Sequence, residues 1–340
     1  MTNLERLQST GIRRIGKPQR GFRYLRLNGG GAVTRDDLAR IKKLVIPPAW
    51  TDVAINSAPT GRVQVVGKDA AGRWQYVYHE NHTRMQEAKK FRRLTKFALA
   101  LPKLRQTIRK QLREPALARE RVLACVLRIL SSCSMRPGSE VYASENGSYG
   151  IATLHSKHVK VKGNTIYFDF PGKSGVRQYR ELTDKRIAQV VRTLLQMPGK
   201  RVFRYENGNG QLVRVTSRHI NGYIKEVMGE RFSAKDFRTW AGTLICASAL
   251  ARIGVNKTHS RSARNRRIVA AIRETAEALG NTPAVCRKSY ISPAILMAYE
   301  KGQVVSKYFP SLESVLRYRG SQLHPAEKSL VRFLKQTGDW

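Results

Sequence analysis

Residues 158–182 read H-V-K-V-K-G-N-T-I-Y-F-D-F-P-G-K-S-G-V-R-Q-Y-R-E-L. Three runs of alternating apolar and polar residues are separated by Gly163-Asn164 and by the P-G-K-S-G of 171–175. Alternation with period two puts successive side chains on opposite faces of a strand, and a Gly-Asn pair between two such runs marks a hairpin. The stretch predicts a three-stranded β-meander over 157–182. On both sides the period changes to that of a helix. Upstream, 83–133 is helical in pattern and dense in Lys and Arg, with Leu123, Val126, Leu127 and Leu130 on one face. Downstream, Ser233 and Asp236 form a capping-box pattern ahead of Phe237, Trp240, Ala241 and Leu244. Ile268, Ile272, Ala276 and Leu279 mark a further helix that stops at Gly280. Thr282-Pro283 and Ser292-Pro293 each read as an N-cap followed by proline at the first helical position. A small meander set among helices gives an α+β fold whose larger domain is mainly helical.

The amino-terminal part differs. From Gly21 to about Tyr78 the pattern is that of strands, with a turn at N-G-G-G (28–31) and one short helix near D-D-L-A-R-I-K-K-L. R-V-Q-V-V and R-W-Q-Y-V-Y flank the turn G-K-D-A-A-G-R. The expected division is a mostly β domain over 1–85 and a mainly α domain over 86–340. Residues 1–20 are basic and show no period, so they are expected to be loose or to lie on a partner. The tail after 305 is mixed and basic.

Charge decides the class of partner. The 340 residues hold 63 Lys+Arg against 24 Asp+Glu, a formal net charge of +39. Self-repulsion of that size favours a protein whose usual neighbour is a polyanion, and nucleic acid is the default. An anionic membrane would call for a basic amphipathic anchor or a lipidation signal, and neither is read here. The longest apolar stretch, around Trp240–Leu250, is too short to span a bilayer. Cys125, Cys133, Cys246 and Cys286 form no C-x-x-C pair and read as buried, reduced thiols of a cytoplasmic protein. His79 and His82 lack the H-E-x-x-H spacing and have no ligand cluster beside them, so no metal site is expected.

The Gly172-Lys173-Ser174 triplet raises the question of a nucleotide phosphate loop. Such a loop needs G-x-x-x-x-G-K-[ST] between a strand and a helix. Tyr167 stands where the first glycine belongs, and a strand rather than a helix follows Ser174. Lys173 is instead a cation on a hairpin tip. Four further places stand out: Arg136 in C-S-M-R-P-G-S, Arg238 early in an amphipathic helix, Asn281 at a helix exit, and Tyr290 with two basic residues just before it. Each has a bland reading on its own: a surface arginine, a helix-end asparagine, a half-buried core tyrosine.

Taken together they resemble a family. I-P-P-A-W-T-D-V (46–53), G-K-D-A-A-G-R-W-Q-Y-V-Y (67–78), E-N-G-S-Y-G (145–150), P-G-K-S-G (171–175), K-D-F-R-T-W (235–240) and V-C-R-K-S-Y (285–290) are similar, in order, to the small type IB DNA topoisomerases of the poxvirus and bacterial kind. The resemblance spans about residues 20–310. It implies supercoil relaxation through transient single-strand cleavage, without ATP, metal or other cofactor. It casts Tyr290 as nucleophile forming a 3′-phosphotyrosyl ester, and Arg136 and Arg238 as the grip on the non-bridging oxygens. Lys173 is cast as the acid for the 5′-oxygen, with Lys235 as its auxiliary, and Asn281 as a hydrogen-bond donor where some members carry histidine. The chemistry is coherent. A phenol with a pKa near 10 is a weak nucleophile, so cations and a proton donor must come from side chains, and guanidinium forks suit phosphate.

The same resemblance implies DNA contacts at Gln75, Tyr76, Tyr78, Tyr142 and Asn146, and a monomer clamping duplex DNA in the cytoplasm, at the bacterial nucleoid. Pro137-Gly138-Ser139 departs from the hydrophobic residue, glycine and asparagine expected after the first arginine, and Trp74 stands where lysine is usual. Two rivals remain at this point. A tyrosine recombinase uses a related Arg/Lys/Arg/Tyr set but usually carries His-x-x-Arg where this chain has Lys235-Asp-Phe-Arg238. A non-catalytic DNA-binding protein explains the charge alone.

Overall fold

The structure is a computed structural model. It describes the chain apart from residues 28, 30, 115, 256–259 and 338–340, and the side chain of residue 174. The turn expected at 28–31 lies partly outside the described residues. The chain divides into two compact units, Met1–Lys90 and Phe91–Trp340.

The first unit is a five-stranded antiparallel sheet. Helix α1 (Asn3–Thr10) precedes β1 (Ile12–Lys17) and β2 (Gly21–Arg26); α2 (Arg35–Lys43) follows, then β3 (Thr51–Ile55), β4 (Val63–Lys68) and β5 (Trp74–Tyr78). The strand order is β2-β1-β3-β4-β5. Both faces of the central strands are covered, which is why β4 is buried at successive positions instead of alternating. Ile41 of α2 packs with Ile12, Val53, Ile55 and Val65. Leu7 of α1 packs with Ala54, Val63 and Val66.

The expectation that residues 1–20 are loose is corrected here. Thr2 and Glu5 form a capping box at α1, with Thr2 N–H donating to Glu5 Oε2 (2.7 Å) and Glu5 N–H to Thr2 Oγ1 (3.2 Å). Ile12 and Arg13 then pair with both β2 and β3. Burial of Leu7 and Ile12, two residues of a short segment, anchors a stretch too brief to show a period.

In the second unit, α3 (Glu80–Gln111, begun in the first unit) and α4 (Arg119–Ser132) precede α5 (Glu140–Asn146). The meander follows as β6 (Val159–Lys162), β7 (Thr165–Pro171) and β8 (Arg177–Thr183), antiparallel in the order β6-β7-β8. Next come α6 (Lys185–Gln196), a small hairpin of β9 (Arg204–Glu206) and β10 (Leu212–Arg214), and α7 (Ser217–Met228). Helices α8 (Ala234–Ile253), α9 (Arg261–Leu279), α10 (Pro283–Ser289), α11 (Pro293–Glu300), α12 (Leu312–Arg317) and α13 (Pro325–Thr337) complete it. Two helices are buried nearly all round and form the spine: α4, from Val122 to Leu130, and α8, from Asp236 to Ala251.

The mixed tail is also more ordered than its composition suggests. Leu330 and Leu334 of α13 join the core. Glu327, 2% exposed, is gripped by both guanidinium nitrogens of Arg105 (2.7 and 2.9 Å) and accepts from Trp240 Nε1 (3.3 Å). All four cysteines are buried and free.

Candidate active site

Arg238 is presented by the first turns of α8. Ser233 N–H and Oγ donate to Asp236 Oδ2 (2.9 and 3.0 Å), and Arg93 closes on the other oxygen of Asp236 (2.7 Å). With that turn fixed, Lys235 points to solvent and Arg238 points inward, 3% exposed. The Arg238 guanidinium donates to the carbonyl of Ser134, just beyond the end of α4, and to that of Leu279 (2.8 Å), the last residue of α9. Carbonyls near helix C-termini carry partial negative charge and suit a guanidinium. Its Nε is buried and, among the described residues, unpartnered. Burial, then the nearby charge of Arg136, pulls the Arg238 pKa down to about 10, against an opposing pull from Tyr290. The group therefore stays charged at neutral pH.

Tyr290 caps the C-terminus of α10, its N–H donating to Cys286 O (2.9 Å). Its carbonyl accepts from Thr243 Oγ1 (3.2 Å) on α8. The Arg238 guanidinium carbon lies 4.9 Å from the Tyr290 ring centroid. Burial pushes the phenol pKa up, but the charge and hydrogen bond of Arg238, followed by Arg136 and Lys235, outweigh it and hold the phenol below its ordinary value. A cationic frame that favours phenolate is what a tyrosine nucleophile requires.

Arg136 follows α4, and the chain beyond it is pinned because Arg136 O and Pro137 O accept from Ile151 N–H and Ala152 N–H (both 2.9 Å). Its Nη2 donates to Asn281 Oδ1. Asn281 Nδ2 is buried and has no partner among the described residues, which leaves a donor aimed from the same side chain that holds Arg136. Arg136, Arg238 and Ser134 line one narrow cavity together with Gly172. Lys173 itself is exposed on a single 3₁₀ turn, Lys173–Gly175, between β7 and β8, and is not part of that lining. The structure thus gathers Tyr290, Arg136, Arg238 and Asn281. It brings Lys235 within electrostatic reach of the phenol and leaves Lys173 on a tip whose base borders the site.

The remaining candidates are distributed. On β5, Tyr76 and Tyr78 share one face, 40% and 44% exposed, with rings 6.3 Å apart. Gln75 faces the other way and donates to Asp69 (2.9 Å), the carboxylate that also binds Arg73. Trp74 lies 5.0 Å from Lys68 Nζ. On α5, Tyr142 is 49% exposed, unlike a core aromatic, and Asn146 is exposed at the helix end.

Comparison with known proteins bears on this arrangement. The family model for the eukaryotic DNA topoisomerase I catalytic core matches residues 79–309, and that for the bacterial DNA topoisomerase IB N-terminal domain matches residues 21–69. The DNA topoisomerase 1B of Acanthamoeba polyphaga mimivirus is 37% identical over 288 residues, covering 82% of this chain and 84% of that protein. The DNA topoisomerase 1B of Vaccinia virus (strain Copenhagen) is 26% identical over 282 residues, covering 78% and 84%. The chain belongs to the type IB DNA topoisomerases. It is an isomerase acting on DNA, and the recombinase and non-catalytic readings are not favoured.

Two residues at this candidate site of the topoisomerase escaped the sequence reading. Arg180 lines the same cavity as Arg136 and Arg238. Burial lowers its pKa, and Arg136 lowers it further against an opposing pull from Cys133. Its Nη2 donates to Gln178 Oε1 (3.0 Å). The signal was present: alternation along V-R-Q-Y-R-E-L places Gln178, Arg180 and Leu182 on one face of β8. Gly280 makes room for this pair, because a Cβ there would lie 2.3 Å from Gln178 Oε1 and 2.7 Å from Arg180 Nη2, and its φ is +59°. Gly242 of α8 is the second. A Cβ at that position would lie 2.8 Å from Tyr290 O. Nothing in a lone helical glycine announces that role.

Proposed function

We propose that this topoisomerase relaxes supercoiled duplex DNA by transient cleavage of one strand. The Tyr290 phenolate attacks a backbone phosphorus, forms a 3′-phosphotyrosyl ester and expels a 5′-hydroxyl. The free strand rotates, and the hydroxyl then attacks the ester to restore the backbone and release the phenol. The observation that carries this reading is the Arg238 guanidinium held over the Tyr290 ring, with Arg136 and Asn281 tied together beside it. In this reading Arg136 and Arg238 hold the non-bridging oxygens, and Asn281 Nδ2 donates a further hydrogen bond. Lys173, carried in on its turn, protonates the leaving oxygen with help from Lys235. Residues 1–85 share in gripping the duplex through Gln75, Tyr76 and Tyr78, while residues 86–340 supply the chemistry and further contacts at Tyr142 and Asn146. The enzyme acts as a monomer on double-stranded DNA in the cytoplasm, at the bacterial nucleoid. The reaction conserves the phosphodiester energy in the tyrosyl ester, so it proceeds without ATP and without a metal cofactor.

The test is relaxation of supercoiled plasmid in EDTA without nucleotide. The wild type is expected to relax either sign of supercoil and to leave a covalent protein–DNA adduct on denaturation. Tyr290→Phe is expected to bind DNA with unchanged affinity, to relax nothing and to form no adduct. Relaxation by that variant would remove the nucleophile assignment, and strand exchange between two sites in place of relaxation would favour a recombinase.

A further inference from the structure

A second cationic site shares no lining residue with the candidate active-site cavity. A half-open cavity of about 400 Å³ sits among α3, α4 and the start of α6. Arg105, Arg109, Arg113, Arg128, Arg186 and Arg319 converge on it, and Asp184 is the one carboxylate in its lining. That carboxylate is already engaged. It accepts from Arg186 N–H (3.1 Å) and Ile187 N–H (3.2 Å) as the N-cap of α6, and Arg128 Nε stands 3.5 Å away. Arg105 is matched by Glu327. The rest is not balanced: among the described residues Arg109, Arg113 and Arg186 have no ion pair, and Arg319 Nε is buried without a partner. The inner pair, Arg128 and Arg319, is both half-buried and crowded by like charge. Burial lowers the Arg128 pKa, and Arg105 and Arg109 add to the effect against the opposing pull of Asp184. Burial, followed by Arg128, brings Arg319 down to about 10. Arg319 comes from the stretch after α12, outside the 79–309 segment that matches the catalytic-core family model.

We propose that this cavity binds a free oligophosphate, a compact anion with three or more negative charges of the size of a triphosphate chain. The volume is that of a small-ligand pocket. Guanidinium forks match phosphate oxygens in pairs. Each phosphate of a DNA strand brings one charge, whereas the unmatched arginines call for several at one point. An oligophosphate supplies them together.

The probe is sodium triphosphate, titrated calorimetrically into the full chain at about 0.15 M salt. The expected result is saturable one-to-one binding, undiminished when duplex DNA is already bound, with a melting temperature raised by a few degrees beyond that in sodium chloride of equal ionic strength. The triple variant Arg109→Gln, Arg113→Gln, Arg186→Gln is expected to bind triphosphate at least about tenfold more weakly while retaining plasmid relaxation. Should the triple variant fold poorly, Arg186→Gln alone, on an exposed side chain, is expected to weaken binding about threefold. Three results would overturn the proposal: sulfate binding as tightly as triphosphate, the folded variants binding triphosphate like wild type, or duplex DNA displacing triphosphate while the triple variant loses DNA affinity. The last would assign the cavity to the DNA backbone.

Discussion

At the scale of the residue, the site turns on one buried guanidinium and one phenol. Arg238 is held by two main-chain carbonyls near helix ends, so its place does not depend on substrate. Its charge is the main force holding the Tyr290 phenol below its ordinary value against the upward push of burial. If attack requires phenolate, cleavage rises with pH until the phenol is ionised, and a lowered phenol pKa moves that rise to lower pH. Arg238→Gln removes the charge and leaves burial unopposed by its largest partner, so the rising limb is expected to move to higher pH. Single-turnover cleavage of a duplex oligonucleotide between pH 6 and pH 10 measures the shift, and the rate at neutral pH should fall about 10²–10³-fold. A profile unmoved by the substitution would separate the arginine from the nucleophile. Asn281 makes a different prediction, because an amide does not titrate. Asn281→Ala is expected to slow cleavage about 10–100-fold without changing the shape of the pH profile, since it removes a hydrogen-bond donor and the anchor of Arg136 rather than a charge. A change in the profile's shape would show that the effect runs through the ionisation of a neighbour.

At the scale of the element, helix ends and close packing convert the sequence into the site. The meander, the capping box at Ser233 and the stop at Gly280 were all legible, because each is written in local period or cap chemistry. Helix α1 was not, since eight residues with one buried leucine carry almost no periodic signal. The order of the tail after 305 was not legible for a related reason: Glu327 meets Arg105 and Trp240, partners more than 80 residues away. Tyr290, Arg136, Arg238 and Lys173 could be picked out by residue type and motif. Arg180 required knowing which face of β8 is turned toward α9, and Gly242 required knowing which backbone passes beside α8. That approach gives the element-scale prediction. Gly242→Ala places a methyl 2.8 Å from Tyr290 O and 3.1 Å from Leu279 Cδ1, so α8 and α10 must move apart. The expected cost is about 1–3 kcal/mol in urea unfolding. Cleavage should be slowed by a larger factor than DNA binding if the displaced group is, as proposed, the nucleophile. Equal losses in binding and cleavage would mean that the helix packing serves stability alone.

At the scale of the whole molecule, the excess of 63 cations over 24 anions belongs to binding more than to chemistry. Asp37, Asp169, Asp236, Glu226 and Glu327 are each in an ion pair with arginine, and even with every carboxylate counted the cations stay far in excess. Free cations on the surface bind phosphates by releasing condensed counterions, which makes affinity fall as a power of salt concentration. Affinity for plain duplex DNA is therefore expected to drop about 10³-fold between 50 and 200 mM salt, the behaviour of a protein making several phosphate contacts. The residues assigned to chemistry contribute little to that slope. Tyr290→Phe should leave it unchanged, and Lys173→Ala should lower its magnitude by no more than about 1, while cutting the cleavage rate about 10²-fold. Fluorescence anisotropy across a salt series, paired with single-turnover cleavage at one salt, separates the two quantities. A nearly flat salt series would refute the assignment of the excess charge to backbone phosphates, and a slope that collapses with Lys173 alone would mean that one hairpin tip, rather than the whole surface, holds the duplex.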